Sequence, residues 1–281
     1  MQTLEETIKA SRSILFRNHR DQDGVRNHLS ALAQSHLGPM PVEHINRNDV
    51  ALLRDDIIAA GKSDGTVIHR LAKLSRVLNW AHDRGLRSAP APTLKISRAS
   101  HERDYEITPE VERQMSAALR KRGAHHAALF DFLLYTACRY SEATGLTWMD
   151  WHGDKVSFLK TKNGNPRTVP LFPPAQNALE LQRETHPLDP GPFTWALQHY
   201  KFYNAWRPAK KEIGLADEED FVPHSCRHTC ITRLAREGMS MMMLQQWGGW
   251  KSLAMLNRYS HLQSAHDLGS AVKHYAIDRP K

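Results

Sequence analysis

Residues 224–261 read HSCRHTCITRLAREGMSMMMLQQWGGWKSLAMLNRYSH, and the rest of the chain is organised around this stretch. His224 and Arg227 lie three residues apart, so they share a face if the segment is helical. Gly238 followed by Ser240 indicates that this helix ends and that a second one is capped. The stretch therefore predicts two short helices, the first of which carries a histidine and an arginine side by side.

An isolated tyrosine closes the stretch. Gly248 and Gly249 interrupt the second helix, and Ser252 can cap a last short helix that carries Tyr259. Each piece has a simpler explanation as well. A chain with 17 histidines places an arginine three residues after a histidine by chance, and Trp250 taken alone is more often a packed aromatic. It is the order of the pieces that indicates a functional site.

That order resembles the tyrosine recombinase family, the phage integrases and their relatives. The second box of this family has the form H-x-x-R, then L-G-(H/W), then a tyrosine nine residues later. His224-Ser-Cys-Arg227, Gly249-Trp250 and Tyr259 stand in these places.

Two other parts of the family pattern lie earlier in the chain. An arginine in a T-G-x-R-x-S-E sequence is matched by Thr136-Ala-Cys-Arg139-Tyr-Ser-Glu142. A lysine on a β-hairpin between the boxes is matched by Lys160-Thr-Lys162. The resemblance favours Lys162, and Lys160 stays a competitor because residues two apart on a strand share a face.

The chain departs from the family pattern at two places, and the resemblance is strong over about residues 105–275 and looser before them. Trp250 stands where histidine is commoner, and its indole N–H can donate a hydrogen bond but cannot exchange a proton. Ala137 and Cys138 stand where the family often has glycine. We expect this second departure to affect packing alone.

Composition favours a globular chain that binds a polyanion. The 281 residues, 41% of them hydrophobic, suffice for two domains with real cores. The net charge of +8 and the pI of about 9.5 favour nucleic acid as partner, although a solvated surface can carry such a charge as well. No apolar run reaches the length of a membrane span, and the first residues lack the features of a signal peptide. We expect a cytoplasmic, nucleoid-associated protein.

The cysteines and the missing motifs argue against cofactor chemistry. Cys138, Cys226 and Cys230 cannot form a closed disulfide framework and suit a reducing compartment. The latter two lie one helical turn apart, as core residues would, with no second ligand pair at zinc-finger spacing. Neither a P-loop, nor G-x-G-x-x-G after a strand, nor G-x-S-x-G is present. We expect neither a metal nor a cofactor.

Apolar residues at helical spacing mark the chain from Thr3 to about Arg87. They form three stripes: Leu29, Leu32, Ala33 and Leu37; Val50, Leu53, Ile57 and Ile58; and Val67, Leu71, Leu74, Val77, Leu78 and Ala81. Asn48 or Asp49, and Asp64, are the expected helix caps. The pattern predicts a module of about four helices.

Later segments add further helices and one hairpin. A helix over residues 127–135 delivers Arg139 at its end, and strand residues flank Asn163-Gly164, the strongest short hairpin signal. Helix starts are predicted at Thr108-Pro109, Pro173-Pro174 and Thr194.

These elements and the resemblance together give a fold class and a division of the chain. The fold is mainly α with a small β-sheet. By resemblance, residues 1–97 are a helical core-type DNA-binding domain, residues 98–104 are a linker, and residues 105–281 are a mixed α/β tyrosine recombinase catalytic domain.

The resemblance also assigns chemical roles. A phosphodiester attacked by an oxygen develops charge on its non-bridging oxygens, and Arg139 and Arg227 are forked donors suited to clamp them. Glu142 supports Arg139 by an ion pair at helical spacing. Tyr259 is the nucleophile, which forms a 3′-phosphotyrosyl link, and His224 orients or deprotonates the attacking group.

The function implied is that of a site-specific DNA recombinase, or integrase, which acts as a homotetramer on double-stranded DNA through a Holliday junction, with or without accessory DNA-bending proteins. Lys162 protonates the leaving 5′ oxygen, and Trp250 donates a hydrogen bond to phosphate. A non-catalytic DNA-binding protein of the same fold and a type IB topoisomerase-like enzyme remain alternatives.

Overall fold

The computed structural model describes residues 1–19, 21–93, 105–161 and 165–262. The chain divides into two compact units, Met1–His101 and Glu102–Lys281. Each unit has its own cluster of buried apolar side chains. The linker predicted at 98–104 lies outside the described residues, so its boundaries stay a prediction.

Four helices make up the described part of the first unit. Helices α1 to α4 run over Leu4–Leu15, Gln22–Ala33, Arg47–Ala59 and Asp64–Asp83. The stripe from Val67 to Ala81 is buried in full along α4, as predicted. Ile58 is 52% exposed, and Leu37 is buried beyond the end of α2, so these two were placed wrongly on helical stripes.

The predicted cap of α3 is wrong by two or three residues, and that of α4 is wrong by one. The caps are Asn46 and Ser63, whose extended backbones let the side-chain oxygens accept N–H groups of the first turn. Asp49 lies at the third helical position and accepts from the backbone of Asn46, which closes a capping box. When several residues of the types that cap helices lie close together, the sequence does not show which of them is the cap.

The described part of the second unit is built around one apolar helix. Helices α5 to α11 run over Pro109–Arg120, Ala124–Thr136, Tyr140–Thr144, Pro173–Thr185, His199–Glu212, Pro223–Arg236 and Met241–Gly248, and a 3-10 helix follows over Leu253–Tyr259. Helix α6 is buried on nearly every side because α5, α8 and α10 pack around it. Its carboxyl end can therefore fix the position of neighbouring chain segments.

A two-stranded antiparallel sheet completes the described unit. Strands β1, Lys155–Phe158, and β2, Arg167–Pro170, pair with Phe158 opposite Arg167. The predicted pairing of strands is confirmed. Residues 162–164, which include the predicted turn, lie outside the described residues. Lys160 lies beyond the end of β1, so the same-face argument that made it a competitor of Lys162 does not apply.

Three smaller expectations have clear outcomes. The helix start at Thr108-Pro109 is confirmed. The helix predicted to begin at Thr194 is instead a short 3-10 turn, and α9 begins at His199. All three cysteines are free and buried, and burial raises the pKa of Cys138 to about 12, so this thiol is an apolar core residue.

Among the helices that the structure describes, none is both long enough and apolar enough to cross a membrane.

Candidate active site

Arg227 joins the ends of two helices. It lies in the second turn of α10, which begins with a proline at its first position, and it is 3% exposed. Its Nη1 donates to the carbonyl of Ala137 and its Nη2 to the carbonyl of Gly248, both at 2.6 Å. These carbonyls lie at the carboxyl ends of α6 and α11, where a helix leaves its C=O groups without intrahelical partners. The buried guanidinium is thus held in one orientation.

The chain turns sharply between α6 and Arg139. Ala137 has φ 53° and is the single non-glycine residue with positive φ in the described part of the chain. An L-residue in this left-handed region costs about 1 kcal/mol. The conformation aims the Ala137 carbonyl at Arg227, and the neighbouring Thr136 carbonyl accepts from Trp247 Nε1 at 3.1 Å. Replacing the family's glycine by Ala137 therefore affects the backbone of the site, not packing alone as we expected.

Glu142 forms ion pairs with two arginines. Its side chain is 1% exposed, with Oε1 accepting from Arg139 Nη1 at 2.8 Å and Oε2 accepting from Arg167 Nη2 at 2.7 Å. Burial alone would raise the pKa of this carboxyl. The hydrogen bonds and the charge of Arg167, and then those of Arg139, outweigh burial and hold the pKa below its ordinary value. The predicted supporting role of Glu142 has a geometric basis, although it serves two arginines and not one.

Arg167 is a residue of this cluster that the sequence patterns did not single out. It opens β2 with a side chain that is 5% exposed, and its Nε donates to the Trp247 carbonyl at 2.8 Å. Its guanidinium lies 4.5 Å from the Phe158 ring centroid, and its Nη1 is buried without a hydrogen-bond partner. The sequence feature that could have identified Arg167 is the period of two along β2, which places this residue on the same face as the buried Val169.

These arginines leave the cluster with more positive than negative charge. In the described part of the chain, Arg139 and Arg167 bind the carboxylate of Glu142, and Arg227 adds a third guanidinium close enough to interact with their charges. Burial lowers the pKa of Arg227 to about 9, and the like charges of Arg139 and Arg167 act in the same direction. The guanidinium is still protonated at neutral pH. The cluster is therefore a pre-formed site for an anion, because an anion would relieve this repulsion.

Trp250 covers Arg227 with its ring. The guanidinium carbon lies 4.3 Å from the ring centroid, a cation–π distance. A side chain at Gly248 would overlap this ring, since a Cβ built there lies 1.9 Å from Cζ3 of Trp250. Helix α11 ends at Gly248, and Gly249 takes the left-handed cap conformation at φ 67°. The glycine pair thus provides both the predicted helix end and the space for the indole.

Tyr259 ends the 3-10 helix that Ser252 caps, as the sequence predicted. It is 4% exposed, and its ring centroid lies 6.5 Å from that of Trp250. Its hydroxyl lies 3.0 Å from Nδ1 of His228, a residue that the sequence patterns did not single out. His224 is exposed at the second position of α10. The signal for His228 was its spacing of four from His224, which puts both rings on one helix face.

The structure brings most of the predicted site residues together. Arg227, Trp250 and Tyr259 form one contiguous group, and Arg139 joins it through the carboxylate that it shares with Arg167. Lys162 lies outside the described residues. Within the described ranges, no group of three or more His, Cys, Asp or Glu side chains could hold a metal ion.

A family model for the phage integrase family matches residues 106–266, which contain all of these side chains. The chain belongs to this family. The resemblance read from the boxes, to the tyrosine recombinases, is thereby confirmed.

One named relative and two solved structures are similar to this chain. The shufflon-specific DNA recombinase of Escherichia coli is 30% identical over 235 residues, which are 79% of this chain and 59% of that protein. This chain thus spans less than two thirds of that relative. A Tn1549 transposon integrase in complex with a circular intermediate DNA superposes with a TM-score of 0.75 at 19% identity, over 92% of this chain and 95% of the other.

A lambda integrase tetramer bound to a Holliday junction gives a TM-score of 0.73 at 16% identity, over 94% of this chain and 78% of the other. At these identities the likeness of the two integrase structures shows the fold. It confirms the predicted class, mainly helical with a small sheet.

Proposed function

We propose that this chain is a site-specific DNA recombinase, which cleaves and rejoins DNA strands through a covalent bond to Tyr259. The observation that carries the proposal is the cluster of Arg139, Arg167 and Arg227 around Glu142, beside a tyrosine. Three guanidinium groups and one carboxylate leave a charge of 3 − 1 = +2 in a largely buried place. A phosphodiester is the anion that both answers this charge and reacts with a phenol.

Each group has a defined task in the cleavage step. Arg139 and Arg227 donate to the two non-bridging oxygens, where charge develops in the transition state, and the Trp250 N–H adds a third donor. The resemblance assigns His224 to orient or deprotonate the attacking group, and from the exposed amino end of α10 it does the former by holding the scissile phosphate. Lys162 gives a proton to the leaving 5′ oxygen. Fixed cations in these positions supply the charge stabilisation for which other enzymes use metal ions.

Tyrosine suits reversible strand exchange. Attack by Tyr259 yields a 3′-phosphotyrosyl ester and a free 5′ hydroxyl. The ester conserves the energy of the phosphodiester, so that a 5′ hydroxyl from a second duplex can reverse the step without a nucleotide cofactor. Exchange between two duplexes by this route passes through a Holliday junction.

The partners follow from the same proposal. The likeness to a lambda integrase tetramer on a Holliday junction supports a homotetramer on double-stranded DNA. The first unit, with helices α1 to α4, is proposed as the core-type DNA-binding domain of residues 1–97. Accessory DNA-bending proteins and a nucleoid location belong to this proposal as well.

Covalent trapping on DNA tests the function. The probe is a pool of duplexes with randomised sequence and one nick at several short offsets, so that the 5′ fragment released by cleavage diffuses away. We expect a band that survives denaturation in SDS, and sequencing of its DNA then defines the preferred site. Tyr259→Phe should bind that site with similar affinity and give no band, because binding is spread over many phosphate contacts. The band should persist in excess EDTA.

Three outcomes would count against the proposal. A chain that traps no member of the pool is not a strand transferase. A band that persists in Tyr259→Phe has another nucleophile. Relaxation of supercoiled plasmid without two matched sites would indicate a type IB topoisomerase-like activity instead.

A further inference from the structure

The hydroxyl of Tyr259 has a histidine within hydrogen-bond distance. Nδ1 of His228 lies 3.0 Å from the phenol oxygen, and the two ring centroids are 5.5 Å apart at an interplanar angle of 32°. His228 follows Arg227 directly on α10, whereas Tyr259 comes from the 3-10 helix that follows α11. Two segments 31 residues apart thus meet at the one oxygen that the proposed reaction uses as its nucleophile.

The surroundings fix this contact. Tyr259 is 4% exposed and His228 is half-buried, so their polar tips meet where water has limited access. The guanidinium of Arg258 lies 5.8 Å from the phenol ring centroid, and that of Arg227 lies 4.3 Å from the ring of the neighbouring Trp250. Nearby cations favour a phenol that becomes negative over one that stays neutral.

His224 occupies a different place on α10. It lies one helical turn before His228 on the same face, and it is exposed. It can reach a phosphate bound at the amino end of α10. The two histidines therefore suit different tasks, one at the substrate and one at the nucleophile.

We propose that His228 is the catalytic residue that accepts the proton of Tyr259. This inference rests on the proposed recombinase function. The neutral imidazole carries its proton on Nε2 and accepts a hydrogen bond from the phenol at Nδ1. During attack the O–H bond of Tyr259 breaks and its proton moves to Nδ1, while the phenol oxygen bonds to phosphorus. The bond from phosphorus to the 5′ oxygen breaks, and this oxygen takes its proton from a separate donor.

The reverse step uses the same groups. When a 5′ hydroxyl attacks the phosphotyrosyl ester, His228 returns its proton to the departing phenolate. The proton is thus conserved over a cleavage and rejoining cycle. An ordinary phenol has a pKa about 3.5 units above that of imidazole, so full transfer before attack is unfavourable. Transfer becomes favourable only as the phenol oxygen bonds to phosphorus, which is the situation that general base catalysis serves.

His228→Asn tests the proton transfer. Asparagine keeps a hydrogen-bonding atom near the position of Nδ1 but cannot take up a proton. On the duplex selected by trapping, we expect the single-turnover rate of covalent complex formation to fall about 10²- to 10⁴-fold, with DNA affinity unchanged within about threefold. His125→Asn is the control, because this histidine packs on Trp195 with ring centroids 4.6 Å apart and has no proposed role. It should react at the wild-type rate.

A more acidic phenol separates proton transfer from structural support. Difluorotyrosine is incorporated at position 259 and at no other position. Its phenol is more acidic than that of tyrosine and loses its proton more readily. It should restore most of the rate in His228→Asn and almost none in His224→Asn, whose defect lies at the phosphate. His228→Gln repeats the measurement if the asparagine variant loses DNA binding.

Each outcome of these experiments is decisive. A wild-type rate in His228→Asn overturns the inference, as does a slow variant that binds DNA normally and is not rescued by difluorotyrosine. Failure of the wild-type chain to trap any duplex refutes the recombinase function itself, and the role of His228 with it. Trapping by the wild-type chain shows strand cleavage through a covalent complex, whether or not His228 is the base.

Discussion

Arg167 Nη2 donates to Oε2 of Glu142 at 2.7 Å, and the same oxygen accepts the backbone N–H of Arg139 at 2.9 Å. The other oxygen of this carboxylate holds the Arg139 guanidinium. A strand residue thus positions an arginine at the start of α7 through a shared, buried carboxylate. Arg167 also donates to the Trp247 carbonyl, next to the Gly248 carbonyl that Arg227 holds. The two consecutive carbonyls at the end of α11 therefore link Arg167 to Arg227, and Glu142 links Arg167 to Arg139.

Arg167→Met should destabilise the second unit by about 3–5 kcal/mol, because it leaves the buried Glu142 with one cation fewer. Glu142→Gln should also destabilise, since it leaves two guanidinium groups without a carboxylate. The double variant should lose about 1–3 kcal/mol less than the sum of the single losses, as expected for residues in one network. Urea unfolding followed by tryptophan fluorescence measures this, because Trp80 alone of the 7 tryptophans lies before residue 102. Strictly additive losses would show that the two side chains act independently.

Ala137→Gly should stabilise the chain by about 0.5–1 kcal/mol. Glycine adopts φ 53° without the strain that alanine carries there. Its greater freedom in the unfolded chain offsets part of this gain. Ala117→Gly, at an exposed position of α5, is the matched control and should lose about 1 kcal/mol. The same unfolding measurement applies, and equal losses in both variants would contradict the strain at Ala137.

Sequence patterns and tertiary contacts account for different parts of this site. The helical period of the apolar residues in α4 and the helix caps Ser240 and Ser252 could be predicted from the sequence, since they depend on neighbours within one turn. Arg167 and His228 were not selected, because their partners Glu142 and Tyr259 lie 25 and 31 residues away along the chain.

The backbone strain at Ala137 could not be predicted from the sequence for a related reason. No local rule puts an alanine at positive φ, and the conformation is maintained because the resulting carbonyl direction serves Arg227. The boxes of the family thus identified which residues matter, and the contacts show how the backbone and two unselected side chains place them.

Gly248→Ala should slow covalent complex formation about 10-fold with little effect on DNA affinity. The added methyl group would lie 1.9 Å from Cζ3 of Trp250, so the ring must leave its position over Arg227. A cation–π interaction of this kind stabilises by about 0.5–2 kcal/mol, and Gly248→Ala loses it. In a Trp250→His background the same change should cost less, because the smaller ring avoids the overlap. Gly65→Ala in α4 is the control, since its nearest neighbour lies 4.0 Å from the added atom, and it should react normally.

Asp131→Asn should stabilise the chain above pH 7. Burial raises the pKa of Asp131 to about 7, and Arg120 offsets only part of this. Between about pH 4 and 7 the folded chain holds a proton that the unfolded chain has lost, so this group makes stability fall as pH rises. The asparagine variant lacks that decline. At pH 8 it should be more stable by on the order of 1–3 kcal/mol, given the partial exposure of the site. Unfolding curves of the wild-type chain and of Asp131→Asn are measured at pH 5 and pH 8. If their free energies of unfolding differ by the same amount at both pH values, this titration is contradicted.

The leaving 5′ oxygen offers the sharpest test of the hairpin lysine. An alkoxide, whose parent alcohol is about as weak an acid as water, is a poor leaving group, so Lys162→Ala should lose cleavage if Lys162 is the general acid. Replacing the bridging oxygen by sulfur removes the need for a proton, since a thiol of pKa about 8.5 leaves as the thiolate.

The sulfur duplex should therefore restore cleavage to Lys162→Ala but not to Arg227→Ala, whose defect concerns the non-bridging oxygens. Lys160→Ala is the matched control, because Lys160 is exposed beyond the end of β1 and should cleave ordinary DNA normally. If Lys160→Ala is the variant that fails on oxygen and recovers on sulfur, while Lys162→Ala is fully active, the general acid is Lys160. Rescue of Arg227→Ala by sulfur would show that the arginine assists the leaving group, and the assignment of charge stabilisation in this cluster would then be wrong.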